Sequence, residues 1–484
     1  MQLIKSVRRP LKIILYALLT IVTAPVSASE FNLPSLGDTS SSIMSREQEH
    51  QLGRTWLSML RGSVRTMEDP LLKDYVEKEV YLLAETSQLD DRRLAFVMIN
   101  SPELNAFAAP GGVIGVNGGL FLHAHTEGEF ASVMAHELAH LSQRHFARGL
   151  QHQQQSKIPF MAAMLASVVL AASGSDAGFA ALASTQAAAI QEQRRFSRQN
   201  EQEADRIGLL NLKKAGYDPH AMPDMFERLA KLSRFSQTPP EFLLTHPVSQ
   251  SRIADSRNRA GQLANEGRRD SLYYQMMRAR VQLFYEESPG LAAKRFRALL
   301  TESNGEHAAA RYGLTLALIR GGQYEEAATE LEPLVAAYPD NIAVQLAKAE
   351  LDSGSNRPNE ALARINRLLQ RHPDNYPLLN AKADLLLRKQ DYVATEKVTN
   401  RLTRLRSDDP DVWYLASEVH GLANNILALH QARAEYFMLA GDLDQADQQL
   451  DLALKKAANN FVTSSRINAR KEEVARRREI VKNF

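Results

Sequence analysis

The sequence of 484 residues contains no cysteine, and its 58 lysines and arginines nearly balance its 56 aspartates and glutamates. The absence of cysteine excludes disulfide bonds, thiolate metal sites, iron–sulfur clusters and cysteine catalysis. The formal charge of +2 argues against a dedicated nucleic-acid-binding protein, because such proteins carry a concentrated basic excess. Any metal ion in this protein must therefore be bound by histidine and carboxylate side chains.

The first thirty residues are typical of a secretion signal rather than of a folded segment. Four basic residues within 5–12 precede a short apolar stretch at 13–22, and Val-Ser-Ala at 26–28 offers a cleavage site. The apolar stretch is shorter than the ~20 residues that span a bilayer, so we expect cleavage rather than anchoring. We therefore predict a signal peptide over residues 1–28 and a periplasmic mature protein.

The remaining length is enough for more than one domain. Apolar residues recur at helical spacing over residues 46–88, whereas residues 94–122 contain short extended runs, and the pattern beyond them is helical. A polar stretch at 262–270 marks a boundary between two regions. We predict one domain over residues 29–262 and a second over residues 271–484.

The second domain contains an internal repeat of 34 residues. Tyr324 and Pro358 begin equivalent segments, and Tyr392 stands where the next copy is expected. Pro339 and Pro373 repeat the same interval. This period resembles that of tetratricopeptide repeats, whose helix pairs stack into an α-solenoid that binds other proteins.

The most specific motif in the first domain is a His-Glu-x-x-His sequence. His136 and His140 are four residues apart, so on a helix both imidazoles can bind one metal ion. Glu137 is then placed to take a proton from a metal-bound water. Thr126 and Glu129 form a capping box that predicts the start of this helix.

A second motif, Glu-Gln-Glu-Ala-Asp at 201–205, offers the further ligand that a catalytic metal site requires. Glu201 is the predicted third ligand, with a surface carboxylate as the alternative for this residue taken alone. Asp205 is four residues later and is predicted to hold the ring N–H of a ligating histidine. Two histidines and one glutamate leave a fourth position open for water, so we predict one catalytic Zn²⁺ per chain on His136, His140 and Glu201.

These motifs resemble those of the M48 family of zinc metallopeptidases. The matching segments are Asn-Ala-Phe-Ala-Ala-Pro-Gly-Gly at 105–112, the histidine motif at 136–140, and Asn-Glu-Gln-Glu-Ala-Asp at 200–205. The resemblance implies a mainly α protein, in which a gluzincin-type metallopeptidase domain with a small β-sheet precedes the tetratricopeptide solenoid. It also implies zinc on the three predicted ligands, Glu137 as general base and Asp205 as a support for a ligand.

Taken with the leader and the repeats, the resemblance covers essentially the whole mature chain. It implies a periplasmic metalloendopeptidase with a chaperone-like role in the assembly and quality control of outer-membrane β-barrel proteins, which degrades stalled or misfolded clients. The expected partners of the repeats are the outer-membrane β-barrel assembly machinery and unfolded barrels. The alternative is a chaperone or scaffold that acts through its repeats and has a latent metal site.

The resemblance assigns further residues to the cleft. Asn105, Ala106 and Phe107 match the edge strand along which such peptidases align an extended substrate. His246 matches a His-Pro segment and has two open roles: donation to the developing oxyanion, or occupation of the fourth metal position in a latent enzyme. Arg252 is predicted to orient a substrate carbonyl, with a simple salt bridge as the alternative.

Three further features of the sequence are interpreted without a role in binding the metal. Residues 158–190 contain a single charge and predict either a buried helical hairpin or a mobile lid over the cleft. The basic segment at 470–478 predicts a solvated capping helix, with peripheral contact to acidic lipid as the alternative. The remaining nearby histidines are predicted to be ordinary polar residues: His123, His125, His145 and His152.

Overall fold

A computed structural model describes residues 44–152, 190–235, 240–263, 266–303, 307–457 and 460–482. The predicted signal peptide and the 158–190 insert, apart from its last residue, lie outside the described residues. The described part is mainly helical with one small sheet, so the predicted fold class is confirmed. None of the described helices is both long enough and apolar enough to cross a bilayer.

The first domain consists of helices around a small sheet. Its described elements are α1 (Arg46–Ser63), α2 (Pro70–Thr86), β1 (Ala95–Ile99), β2 (Ala106–Ala109), β3 (Val113–Asn117), α3 (Gly118–His123), α4 (Glu127–Ser142), α5 (His145–His152), α6 (Ile190–Lys214), α7 (Ala221–Phe235), α8 (Glu241–Thr245) and α9 (Gln250–Gly261). The capping box predicted for α4 is present, because Thr126 accepts from the Glu129 N–H and the Glu129 side chain accepts from the cap N–H.

Among the described residues the sheet has three strands in the order β1-β3-β2, with β1 parallel and β2 antiparallel to β3. Alternate residues face two hydrophobic cores. Met98 and Ile114 face the larger core, which contains the buried side of α4, whereas Phe107 and Val113 face a smaller core with Trp56 of α1. β2 is therefore an edge strand supported on both faces.

The second domain is a series of antiparallel helices. These are α10 (Leu272–Tyr285), α11 (Pro289–Glu302), α12 (Ala308–Arg320), α13 (Tyr324–Ala337), α14 (Ile342–Gly354), α15 (Pro358–Arg371), α16 (Tyr376–Arg388), α17 (Tyr392–Leu405), α18 (Pro410–Leu422), α19 (Ile426–Leu439), α20 (Leu443–Lys456) and α21 (Phe461–Lys482). The 34-residue period appears in the backbone, since Gly322 has φ 74° and its counterparts Asn356, Gln390 and Asn424 have φ 60°. Each of these residues turns the chain between two paired helices.

The solenoid folds back onto the first two helices of the described residues, α1 and α2. Lys73 Nζ of α2 lies 3.1 Å from Asp409 Oδ1, and Arg406 Nη1 donates to Glu77 Oε2 at 2.7 Å. Arg61 of α1 donates to the carbonyl of Asp408 at 3.0 Å. The two predicted domains are thus in contact far from their covalent junction, while their exact boundary stays a prediction.

Candidate metal centre

Two helices bring the predicted ligands together. His136 and His140 lie on one face of α4, with their Nε2 atoms 3.1 Å apart. Glu201 approaches from α6, with Oε2 3.5 Å from His136 Nε2 and Oε1 3.4 Å from His140 Nε2. α6 packs this closely because Gly208 faces the α4 backbone, where an added Cβ would lie 3.1 Å from the Ala135 carbonyl.

A fourth donor comes from the segment between α8 and α9. His246 Nδ1 lies 3.5 Å from His136 Nε2 and 3.1 Å from Glu201 Oε1. The ring of Phe242 supports the His246 ring, with 4.9 Å between the ring centroids. His136, His140, Glu201 and His246 therefore place one donor atom each within 4.8 Å of one another.

This donor set fits zinc. Tetrahedral zinc holds nitrogen and oxygen donors at about 2.0–2.1 Å, which places the donors about 3.3 Å from each other. Five of the six residue pairs have donor atoms 3.1–3.5 Å apart, and all four donors lie within 4.8 Å of one another. Nitrogen and carboxylate oxygen donors are also the ligands that remain for zinc in a chain without cysteine.

Asp205 and Arg252 support the donors from behind. Asp205 Oδ1 lies 3.1 Å from His136 Nδ1. The buried Arg252 donates from Nε and Nη2 to Asp205 at 2.7 Å each, and its Nη1 lies 2.9 Å from Glu201 Oε2. Arg252 Nη1 also donates to the carbonyl of Pro247 at 2.8 Å. The structure therefore favours the salt-bridge alternative for Arg252 over contact with a substrate carbonyl.

The electrostatics of the cluster favour a positive charge at its centre. Burial opposes ionisation of Glu201, but His246 and His136 outweigh it and hold the pKa of Glu201 well below its usual range. Burial opposes protonation of His136, yet Asp205 and Glu201 raise the pKa of His136 to about 9. Burial keeps the pKa of His140 well below its usual range. The carboxylates can thus be balanced by a proton on His136 or by a bound cation.

Glu137 is held in position to act as a base. Its side chain is 1% exposed, and its Oε2 accepts the main-chain N–H of Ala108 at 2.9 Å. Its Oε1 has no hydrogen-bond partner among the described residues and lies 3.7 Å from His246 Nε2. Burial raises the pKa of Glu137, which makes the carboxylate a stronger base.

The predicted substrate strand contributes differently at each position. The main chain of Ala108 faces Glu137, so Ala106, two residues earlier, directs its N–H and C=O to the same outer side of β2. Phe107 packs into the core, with its ring centroid 5.7 Å from that of Trp56. The Asn105 side chain is buried beside Glu241, where its amide partly offsets the rise that burial causes in the pKa of Glu241. Of the three predicted substrate residues, Ala106 is the one whose main-chain groups face the open side of β2. The side chains of Asn105 and Phe107 are buried and do not reach that side.

The sequence did not indicate the surroundings of His140 on its other side. His145, expected to be an ordinary polar residue, places Nδ1 2.9 Å from His140 Nδ1. Its Nε2 lies 3.1 Å from Glu203 Oε2, and the same oxygen accepts from Arg148 Nη1 at 2.9 Å. The five-residue interval between the two histidines is the one signal for this contact. His125 instead lies 3.5 Å from Arg228.

Known proteins are similar to both parts of the chain. The model of peptidase family M48 matches residues 70–260, and a tetratricopeptide repeat model matches residues 283–351 and 354–419. The β-barrel assembly-enhancing protease of Escherichia coli K12 is 35% identical over 483 residues, which are 99% of each chain. That of Yersinia pestis is 32% identical over 96% of this chain and 98% of its own.

A more distant relative shares one part of the chain. The mitochondrial metalloendopeptidase OMA1 of Arabidopsis thaliana is 33% identical over 188 residues, 39% of this chain and 36% of its own. The prediction of a metallopeptidase followed by tetratricopeptide repeats is confirmed. With relatives matched over nearly their full length, the chain belongs to peptidase family M48.

Proposed function

We propose that this protein is a zinc endopeptidase of the bacterial periplasm that acts in the assembly and quality control of outer-membrane β-barrel proteins. The observation that carries the proposal is the cluster of His136, His140 and Glu201 next to Glu137, whose carboxylate accepts a main-chain N–H of the edge strand β2. The client class is supported by the names of the full-length relatives. The predicted leader supports the location.

In this proposal His136, His140 and Glu201 hold the Zn²⁺. When bound, zinc polarises the peptide carbonyl and lowers the pKa of a water molecule. Glu137 takes the proton of the attacking water on Oε1 and passes it to the leaving amine, while the Ala108 N–H holds Oε2 in place. Asp205 and Arg252 fix the His136 ring.

The substrate is proposed to lie along the outer side of β2. Ala106 directs its main-chain N–H and C=O outward, and an extended peptide can pair with such groups as an added strand. Pairing through the main chain makes few demands on the substrate sequence, which suits the degradation of unfolded proteins. The solenoid is proposed to recruit these clients and the barrel assembly machinery through its repeats.

The position of His246 favours a latent enzyme. Its Nδ1 occupies the fourth corner of the cluster, 3.1 Å from Glu201, which is the position a catalytic water needs. Its Nε2 lies beside the free oxygen of Glu137. We therefore propose that His246 must withdraw before hydrolysis, rather than donate to the oxyanion from its present place.

The first test is Glu137→Gln in the purified full chain. An amide cannot take the proton, so we expect casein hydrolysis to fall by roughly 10²–10⁴-fold, with one zinc per chain retained. The matched control is Glu85→Gln, which removes an exposed carboxylate from α2 and is expected to leave both readouts unchanged. Unchanged hydrolysis by the Glu137→Gln protein would refute the peptidase assignment to this site.

A further inference from the structure

A turn in the left-handed region folds the chain back onto the metal centre just after α4. α4 ends at Ser142, and Arg144, with φ 50°, redirects the chain into α5. Arg144 Nη2 donates to the Met44 carbonyl at 2.7 Å and to Glu49 Oε1 at 3.0 Å, which fixes this unfavourable conformation. His145, the first residue of α5, is thereby returned to the side of His140 that faces away from the cluster.

The contacts beyond His140 allow one arrangement of protons. His140 Nε2 must keep a lone pair to bind a cation, so its proton is on Nδ1. That N–H donates to His145 Nδ1 at 2.9 Å, which leaves the proton of the neutral His145 on Nε2. His145 Nε2–H then donates to Glu203 Oε2 at 3.1 Å, where Arg148 balances the carboxylate.

We propose that His145, Glu203 and Arg148 form a positioning relay that fixes the orientation and tautomer of His140 as a metal ligand. The inference rests on the proposed function, because it requires His140 to bind the ion. None of the three residues is among the candidate metal donors, and none lies on the proposed substrate strand β2. Their effect passes through the imidazole of His140, whose basicity rises when its N–H donates to an acceptor.

The relay mirrors the support of the other histidine. Asp205, paired with Arg252, lies against His136. In the same way Glu203, paired with Arg148, supports His140 through His145. The ligand Glu201 and both supporting carboxylates are alternate residues of α6. Consequently, one helix supplies a ligand and supports both histidines of the other helix.

The two supports differ in burial. Asp205 is 3% exposed, whereas Glu203 retains 35% of its side-chain exposure. Solvent screens the outer end of the relay, so loss of the Glu203 charge should cost less than loss of the acceptor on His145. This order of effects distinguishes a relay from a simple packing role for His145.

The test measures zinc affinity in the purified full chain by competition with a chromophoric chelator, and the visible spectrum of the Co²⁺-substituted protein. The variants are His145→Leu, which removes the acceptor, His145→Asn, whose carboxamide oxygen can still accept from His140, and Glu203→Gln. The matched control is Asp255→Asn. It removes a carboxylate of α9 that is 37% exposed, close to the 35% of Glu203, and that pairs with Arg206 of α6.

We expect His145→Leu to weaken zinc binding by about 10–100-fold and to change the Co²⁺ spectrum. His145→Asn should retain most of the wild-type zinc affinity. The affinity of Glu203→Gln should lie between those of His145→Asn and His145→Leu, and that of Asp255→Asn should equal the wild-type value. Should His145→Leu fail to fold, as shown by circular dichroism, the partly exposed Glu203→Gln still decides the question.

Affinities and Co²⁺ spectra within about two-fold of wild type in every relay variant would overturn the relay and leave the metal site in place. Equal losses for His145→Leu and His145→Asn would also overturn it, because packing rather than hydrogen bonding would then explain the effect. A wild-type protein that binds no stoichiometric zinc would instead overturn the proposed function, and the relay with it.

Discussion

His246 differs from the other donors in the element that carries it. His136, His140 and Glu201 lie within long helices, whereas His246 follows the five-residue α8 and precedes Pro247. A side chain on a short connecting segment can be displaced at lower cost than one inside a packed helix. The donor that is proposed to withdraw for a water to bind is therefore the one that no long helix holds in place.

We expect His246→Ala to increase casein hydrolysis severalfold without loss of zinc. Three ligands remain, and the fourth position becomes available to water. The measurements are the initial rate of hydrolysis and the zinc content of the purified protein. His220→Ala, which changes a histidine bonded to Asp218 instead, should leave the rate unchanged. An inactive His246→Ala protein with full zinc content would favour the oxyanion role.

The residues that could be predicted were those whose spacing alone places them together. Spacing was enough to place His136, Glu137 and His140 together on one helix, and Glu201 and Asp205 together on a second helix. The contact between His140 and His145 depends on one left-handed residue that no periodicity marks. The partners of Arg252 likewise depended on packing between helices, so its two alternatives could not be separated.

At the level of elements, the sheet determines which side of β2 is available to a substrate. The sequence predicted short strands in this region, but a four-residue strand does not show which residues face inward. Register decides this, since Phe107 pairs with Gly115 and its ring lies over that glycine. As a result Ala108, which was not one of the three predicted substrate residues, donates its main-chain N–H to Glu137.

Gly115→Ala tests this arrangement. The added Cβ would lie 2.0 Å from Phe107 Cζ, so the ring must move away from its site beside Trp56. We expect the free energy of unfolding to fall by about 1–3 kcal/mol, and hydrolysis to decrease because β2 shifts under Glu137. Urea denaturation and the casein assay measure the two effects.

The control for this prediction is another glycine of the same domain. Gly261 ends α9, and an added Cβ there meets no atom within 4 Å. Gly261→Ala should leave activity unchanged and stability equal or slightly higher. A Gly115→Ala protein with wild-type stability would contradict the described packing of Phe107 on β3.

At the scale of the whole molecule, the solenoid returns to the start of the catalytic domain. The 34-residue period predicted the repeats because each copy repeats its own local contacts. It could not predict this docking, because Lys73, Glu77, Arg406 and Asp409 each resemble ordinary surface charges in the sequence. Only the fold shows that they form one ionic cluster between the domains, in which Asp409 is buried and the other three side chains are half-buried.

Lys73→Met tests how much this cluster stabilises the molecule. Lys73 is 13% exposed and Asp409 is 6% exposed, so the substitution leaves a buried carboxylate without its lysine. We expect the free energy of unfolding to fall by about 3 kcal/mol, measured by urea denaturation. Lys78→Met is the control, since Lys78 lies on the same helix, is 64% exposed, and pairs with Asp74 at the surface. Its loss should cost less than about 1 kcal/mol.

The same cluster predicts how the difference between wild type and Lys73→Met changes with pH. Burial opposes ionisation of Asp409, but Lys73 and Arg406 outweigh it and lower the pKa of Asp409. A lowered pKa contributes stability that is present above the unfolded value of about 3.9 and is lost as the pH falls through the folded value. Lys73 has a raised pKa, so its charge stays constant over this range. Without the lysine that lowers this pKa, Asp409 of the folded variant takes up its proton at a higher pH than in the folded wild type. Urea denaturation between pH 8 and pH 3 should therefore show the largest difference near neutral pH and a smaller one as the pH falls through the range in which only the variant binds this proton. A difference that stays constant down to pH 3 would show that the Asp409 charge does not stabilise the docking of the two domains.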